Sequence, residues 1–261
     1  MPNDTVIVSS WEQFVAALAG GASYIKWADA AVKQINVANI SSKLICRCNE
    51  VDFNGWTIDT LNIYGIDDYY AFYREDWEYG YGHYGIFRTI NLTVNHFNVF
   101  NTAKACIIVF GQLVNCYLND IYYEAHETAY QDEDPAYHFG YGASAQICSM
   151  AYNSKLRMRS EDYAPRVPTL WAQNCEIKID YKWTKTGANT TCLLMGKPHE
   201  WSSPYEVAHY YNCYIYGKID LSEGTGEWQW SSPETTFVGY VDTQDTIFNI
   251  ETTISEDCTF D

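Results

Sequence analysis

The sequence repeats a short phrase in which Asn or Asp precedes Cys and a run of alternating apolar residues. It occurs as NCYLNDI from Asn115, as NCEIKID from Asn174 and as NCYIYGKI from Asn212. NSKLRMR from Asn153 keeps the Asn and the alternation but has Ser in place of Cys, and DCTF from Asp257 is a degenerate copy. Each phrase is typical of a turn residue that leads into a short strand whose alternate side chains point inward. Irregularly spaced copies of one strand unit indicate stacked coils.

The spacing between the phrases supports coils that carry inserts. Asn115 and Asn153 are 38 residues apart, Asn153 and Asn174 are 21 apart, and Asn174 and Asn212 are again 38 apart. One bare coil of a parallel β-solenoid takes roughly twenty residues, so the longer spacings predict a coil plus a loop. Stacking would also bring the repeated Asn and Cys side chains into register, where ladders of like side chains are stable.

The N-terminal segment has the signals of a short capping helix over residues 10–21. Ser10 is the predicted N-cap and Gln13 occupies the capping-box position, while Gly20 and Gly21 end the helix. Strand-like segments follow from SYIKW onward, and the pair Asn54-Gly55 predicts a turn.

Irregular inserts alternate with the strand phrases. They are rich in aromatic residues, acids, glycine or proline, and the first is predicted to be a protruding loop. The inserts lie near 66–85, 126–144, 160–168, 196–207 and 222–234. None of them resembles an interdomain linker, so we expect a single domain over residues 1–261.

Composition limits the possible partners. The chain has 16 Lys and Arg against 33 Asp and Glu, a net charge of −17, which argues against binding nucleic acid or an anionic membrane. The nine cysteines lie mostly in strand-like contexts, where free Cys acts as a small buried hydrophobe. The start MPNDTVIVSSWEQF lacks a signal-peptide pattern, so we expect synthesis in a reducing cytoplasm.

The segments SWEQFVAALAGG, SYIKW and VDFNGWTI, together with the Asn-Cys phrases, resemble the pectin-lyase-like right-handed parallel β-helix superfamily. The resemblance covers most of the chain. It implies an all-β fold, a single-stranded right-handed parallel β-helix with a short N-terminal cap helix and several loop inserts. A β-sandwich is the alternative, which explains the strands but neither the helix nor the repeated phrase. The superfamily includes polysaccharide lyases, glycoside hydrolases and bacteriophage virion proteins.

Hydrolase chemistry in that superfamily needs a pair of carboxylates at the scissile bond. The carboxylate candidates lie in the inserts, at Asp67-Asp68, Glu75-Asp76 and 132–134. The chain departs from the hydrolase pattern, because it has Gly-His-Tyr at 82–84 where the family has Gly-His-Gly, and it lacks Arg-x-Lys.

Lyase chemistry needs carboxylates that hold Ca²⁺ beside a basic residue. Arg157 and Arg159 lie on a strand phrase and could supply that base, although a local ion-paired patch with Glu161 and Asp162 is the simpler interpretation. The alternative catalytic candidates are Asp132, Asp134, Arg157 and Arg159. Ca²⁺ is expected only in that alternative, and no metal site or other cofactor is predicted.

The aromatic inserts favour an interaction role, because loops on a rigid scaffold commonly carry binding residues. The candidate interaction residues are Tyr69, Tyr70, Trp77, Tyr79, Tyr81, Trp201, Trp228 and Trp230. The resulting hypothesis is a non-enzymatic bacteriophage virion protein, such as a capsid-decoration, minor capsid or tail component. Its partners would be other virion proteins or copies of itself, and it would be located in the virion. A polysaccharide-binding or polysaccharide-cleaving β-helix protein is the alternative.

Overall fold

The computed structural model of the chain describes residues 4–64, 71–74, 87–102, 109–125, 147–161, 169, 171–182, 208–221, 226–228, 241–254 and 258–260. Within these ranges the chain forms one helix, α1 (Trp11–Ala19), and twenty-one strands. The strands are β1 (Thr5–Val8), β2 (Tyr24–Trp27), β3 (Gln34–Ile40), β4 (Leu44–Cys46), β5 (Glu50–Asp52), β6 (Thr57–Tyr64), β7 (Phe72–Arg74), β8 (Arg88–Ile90), β9 (Thr93–Thr102), β10 (Phe110–Val114), β11 (Tyr117–Ala125), β12 (Cys148–Tyr152), β13 (Lys155–Glu161), β14 (Trp171–Gln173), β15 (Glu176–Lys182), β16 (Ala208–Tyr211), β17 (Tyr214–Leu221), β18 (Gly226–Trp228), β19 (Val241–Gln244), β20 (Ile247–Ile254) and β21 (Cys258–Phe260).

Most strands belong to two large sheets in which every pairing is parallel. The nine-stranded sheet has the order β1-β2-β5-β8-β10-β12-β14-β16-β19, and the eight-stranded sheet has the order β3-β6-β9-β11-β13-β15-β17-β20. The chain therefore alternates between the sheets, and each strand pairs with the equivalent strand one coil later. The fold is all-β with parallel strands, and it is compatible with a β-helix or solenoid.

The turn that joins the two sheets uses a residue in the left-handed region in seven successive coils. These residues have φ between 49° and 57° and are Asn54, Asn91, Asn115, Asn153, Asn174, Asn212 and Asp245. Asn tolerates this conformation better than most residues, which explains its recurrence. The predicted stacking is confirmed, since the Asn212 amide donates to Asn174 Oδ1 at 2.9 Å and the Asn174 amide donates to Asn153 Oδ1 at 3.0 Å.

The sequence phrases identified only part of this ladder. Asn91 and Asp245 occupy the same turn without a following Cys, and Leu92 and Thr246 take that next position. In the degenerate copy DCTF, the residues from Cys258 to Phe260 form β21, which pairs with β18 outside the two large sheets.

At the five successive turns from Asn91 to Asn212, the residue after the Asn is buried. Cys116 is fully buried, and its thiol donates to the Val114 carbonyl at 3.3 Å. Burial raises the pKa of Cys116 to about 11, so the thiol stays neutral. Ser154 replaces Cys at this position, where its hydroxyl donates to the Tyr152 carbonyl at 2.7 Å. Burial of the cysteines is confirmed at six positions, Cys46, Cys48, Cys116, Cys148, Cys175 and Cys213.

The cap helix begins and ends as predicted. Ser10 Oγ accepts from the Gln13 N–H at 3.3 Å, and Gln13 Oε1 accepts from the Ser9 N–H at 2.8 Å. Gly21 has φ 75°, and the Ala22 N–H closes the C-terminus on the Ala17 carbonyl at 3.0 Å. Among the described residues, no helix is long and apolar enough to cross a membrane.

Phe14 of the helix enters an aromatic core at this end of the molecule. The centroid of its ring lies 5.7 Å from that of Phe53 and 6.4 Å from that of Phe72, and the ring centroids of Phe72 and Phe87 are 4.9 Å apart. Phe72 belongs to the segment 66–85, which was expected to protrude. That expectation is wrong for residues 71–74, because β7 pairs with β4 and Phe72 is only 1% exposed.

Two other inserts also contain strand residues. β13 continues through Glu161 into the insert near 160–168, and β18 lies within the insert near 222–234. The remaining residues of the five inserts lie outside the described ranges.

Candidate interaction face

The outward side of the last four strands of the eight-stranded sheet forms a surface that we call the charged face. Leu156, Ile177 and Ile215 are buried, so the residues that alternate with them point outward. The register of β13, β15, β17 and β20 arranges those outward residues in rows across the strands. The three rows nearest the turns are Lys155, Glu176, Tyr214 and Ile247; then Arg157, Lys178, Tyr216 and Asn249; then Arg159, Asp180, Lys218 and Glu251.

Glu176 is at the centre of the first ionic cluster. Its carboxylate is 2.8 Å from Lys155 Nζ and 3.0 Å from Arg157 Nη2, and it accepts from the Tyr216 hydroxyl at 2.9 Å. The hydrogen bond from Lys155, with those from Arg157 and Tyr216, lowers the pKa of Glu176 to about 2. Glu176 in turn raises the pKa of Arg157.

Arg159 forms the second cluster with Asp120 of β11. Its Nε and Nη2 donate to the two Asp120 oxygens at 2.7 and 3.2 Å, in a bidentate arrangement. The guanidinium also lies 4.6 Å from the centre of the Tyr122 ring. The hydrogen bond from Arg159 lowers the pKa of Asp120, and His96 Nδ1 lies 3.4 Å from the same carboxylate.

The third cluster joins β15 to β17. Asp180 pairs with Lys178 and accepts from the backbone N–H of Lys218 at 3.2 Å. Lys218 Nζ lies 3.3 Å from Asp220. Next to this cluster the Tyr214 and Tyr216 rings stack with 4.8 Å between centroids and 15° between planes.

The charged face combines these ion pairs with exposed apolar area. Tyr214 is 40% exposed and Ile247 is 62% exposed, and Tyr117 on the neighbouring β11 is 42% exposed. Tyr and Arg are the residue types most enriched in the energetically important parts of protein interfaces. The charged face therefore contains two residue types that protein interfaces favour.

Two of the residues singled out from the sequence lie on the charged face. Arg157 and Arg159 project from β13, and their described ion-pair partners are Glu176 and Asp120, 19 and 39 residues away. The sequence had suggested partners in the same segment, at Glu161 and Asp162. Parallel stacking instead places residues of adjacent coils side by side.

Trp228 is the last residue of β18, which pairs with β21 in a separate two-stranded sheet and is not a strand of the charged face. The other candidates lie outside the described residues, so the structure gives no position for them. They are Asp132, Asp134, Tyr69, Tyr70, Trp77, Tyr79, Tyr81, Trp201 and Trp230.

Sequence reasoning missed the carboxylates of the charged face, because it placed the acidic candidates in the inserts. Glu176 and Asp180 lie in the phrase NCEIKID, where alternation with Ile puts both on the outward side with Lys178. The same alternation in NCYIYGKI exposes Tyr214, Tyr216 and Lys218. The polar residues that alternate with apolar ones in the strand phrases were therefore the sequence signal for the charged face.

The ion pairs limit what this surface can do chemically. A general acid must carry a proton near neutral pH, and the lowered pKa values of Asp120 and Glu176 keep both carboxylates charged. A general base must be able to release its proton, and the raised pKa of Arg157 opposes that role. In the described part of the chain, no group of His, Cys, Asp and Glu side chains is arranged to hold a metal ion.

Comparison with known proteins adds no family to this description. No protein-family model matches the chain, and neither a curated protein nor a solved structure shows significant similarity to it.

Proposed function

We propose that the chain is a single-stranded right-handed parallel β-helix that acts as a non-catalytic structural or interaction protein. More specifically, we propose a bacteriophage virion component, of the capsid-decoration, minor capsid or tail type. The coil-by-coil alternation between two parallel sheets and the helix at the N-terminal end support the β-helix. The virion assignment rests on the resemblance of the sequence to a superfamily that includes such proteins.

The charged face is the observation that carries the interaction role. Its carboxylates lie in ion pairs that keep them charged, whereas its Tyr and Arg side chains are presented on a regular sheet. A rigid sheet holds such side chains in fixed positions, so little conformational entropy is lost when a partner docks.

The test is to separate particles from the source on a density gradient and to follow this chain by peptide mass spectrometry. We expect it to co-migrate with intact particles at a constant ratio to their major protein. Recovery only in the soluble fraction would overturn the virion proposal.

Polysaccharide binding or cleavage is the second candidate, and one observation favours it. Tyr214 and Tyr216 stack on each other beside the Glu176 carboxylate, and the outer face of such a pair, next to a carboxylate, also suits a sugar ring. The soluble chain would then depolymerise or bind glycans, with Ca²⁺ required for a lyase. Loss of that activity in Asp132→Asn or Arg159→Ala would assign the site, whereas unchanged activity would show that these residues are not catalytic.

A further inference from the structure

We propose that the charged face is the contact surface for a second copy of this chain, related to the first by a two-fold axis. The axis runs parallel to the strands and lies between β15 and β17. This inference rests on the proposed interaction role and names the partner of that surface.

The alternation of charge in the third row supports a two-fold contact. From β13 to β20 the row contains Arg159, Asp180, Lys218 and Glu251, so the sign changes at every strand. A two-fold axis along the strands keeps each row opposite itself but reverses the order of the strands. Arg159 then faces Glu251 of the second copy. Asp180 faces Lys218 of the second copy, and symmetry repeats both contacts.

The other two rows are compatible with the same operation. In the second row Lys178 faces Tyr216 of the second copy, which pairs a cation with an aromatic ring. In the first row Glu176 faces Tyr214 of the second copy, next to the stacked Tyr pair. The reversal of strand order places no two like charges opposite each other in any of the three rows.

Net charge favours this surface over the rest of the molecule. Two copies with a net charge of −17 each repel one another. The three rows of the charged face contain five Lys and Arg against three carboxylates, and the next row of the register adds Lys182 against Glu161 and Asp220, so the balance stays positive. A second acidic copy therefore approaches here with the least repulsion.

The size of the surface sets the expected strength of association. Four strands about 4.8 Å apart, each paired over about seven residues of about 3.3 Å, cover roughly 440 Å² per copy. That is about half the area that each partner buries in a standard stable interface. The dimer should therefore be weak and reversible.

Sedimentation equilibrium of the purified chain tests the proposal, at concentrations up to about 1 mM and at about 0.15 M salt, which screens the repulsion between the two net charges. We expect a monomer–dimer equilibrium for the natural sequence. Lys218→Glu and Asp180→Lys should each weaken the dimer at least about tenfold, because each places two like charges opposite one another. An equal mixture of the two variants should restore it, because the introduced carboxylate then faces the introduced ammonium.

Arg88→Glu is the matched control for Lys218→Glu, because it makes the same charge change at another exposed ion pair. Arg88 pairs with Glu50 at 3.3 Å on the nine-stranded sheet, so this variant should dimerise as well as the natural chain. Circular dichroism and thermal unfolding would establish that each variant is folded. If Lys218→Glu or Asp180→Lys does not fold, Glu251→Lys replaces it. This variant should weaken the dimer because the introduced Lys faces Arg159 of the second copy.

A natural chain that remains monomeric under these conditions overturns the proposal, as does a mixture of folded variants that does not re-associate. A monomeric chain that still co-migrates with particles refutes the dimer alone. A dimer that never appears in particles refutes the virion assignment and leaves this inference intact.

Discussion

The two halves of the eight-stranded sheet, β3 to β11 and β13 to β20, have different outward side chains. In the first half, amides form ladders along the molecule. The Asn62 amide donates to Asn39 Oδ1 at 3.0 Å, and the Asn98 amide donates to Asn62 Oδ1 at 2.9 Å. The same row continues through Tyr122 into the second half, where Arg159 begins the alternating charges.

The difference determines whether the outward side chains bond only to neighbouring coils or can also contact another surface. An amide is both a donor and an acceptor, so each Asn can bond to the coil before it and the coil after it. Lysine and arginine only donate hydrogen bonds, and a carboxylate only accepts them. A charged row therefore bonds in donor–acceptor pairs, and further donors and acceptors remain on its outer side. The amide half is built to stack on itself, whereas the charged half can also meet another surface.

The cores beneath the two ends also differ. Large rings fill the core near α1, where Trp27 stacks on Phe53 at 5.3 Å. Residues such as Ile177, Ile215 and Cys213 fill the later coils. We therefore expect the free energy of unfolding to be more sensitive to truncation at the N-terminal end.

The largest effect is expected for Phe72→Ala, which removes a ring in contact with Phe14, Phe87 and Phe110. We expect the free energy of unfolding to fall by about 3–5 kcal/mol, as for other buried aromatic truncations. Urea denaturation measures it. Cys116→Ala in the later core is the comparison and should cost about 1 kcal/mol, because it removes one atom. Equal losses would show that the aromatic end is not the more sensitive one.

Gly217→Ala should be next in size and acts in the charged half. Gly217 has φ 140°, and an added Cβ would lie 1.9 Å from the Ile179 carbonyl oxygen, so β17 must move away from β15. We expect a loss of roughly 3 kcal/mol in the free energy of unfolding, from overpacking and backbone strain together. Gly21→Ala separates the two causes, since Gly21 has φ 75° with open space around it and should cost only about 1 kcal/mol. A Gly217 variant as mild as the Gly21 variant would contradict the close approach of β17 to β15.

Asn62→Ala tests the amide half directly. It removes one hydrogen bond to Asn39 and one from Asn98, so we expect a loss of about 1–2 kcal/mol that does not change with salt. Lys218→Ala in the charged half should cost less than about 1 kcal/mol, and the loss should shrink as salt rises. Denaturation at two salt concentrations would distinguish the halves. The same salt response for both variants would remove the distinction.

A pH dependence of stability is expected from the charged half. The folded-state pKa of Glu176 is about 2 against an ordinary value of 4.5, so its ion pairs stabilise the fold above about pH 4.5. That stabilisation is lost as the pH falls from 4.5 towards 2, because the carboxylate becomes protonated in the folded state. Thermal unfolding of the natural chain and Glu176→Gln across this range should converge at low pH. Two parallel curves would show that Glu176 contributes no pH-dependent stability.

The sequence alone determined the unit from which the fold is built. Asn at a left-handed turn, a small buried residue after it and an alternating strand are local requirements, so they appear as the phrases from Asn115, Asn174 and Asn212. The cap helix was equally readable, because Ser10 and Gly21 act within a few residues of the backbone groups that they satisfy. The inward-pointing residues of each phrase therefore predicted the core of each coil.

Only the tertiary structure decided which outward residues meet. Neighbours in a parallel sheet of this kind lie a whole coil apart, and the coils differ in length, as the 24, 21 and 38 residues between stacked turn amides show. No fixed sequence spacing relates Arg157 to Glu176 or Arg159 to Asp120, and none reveals that Phe72 lies in the core. Each contact depends on how much chain the intervening insert takes up before the next strand begins. The turn ladder sets that register in three dimensions by aligning each coil on the one before it.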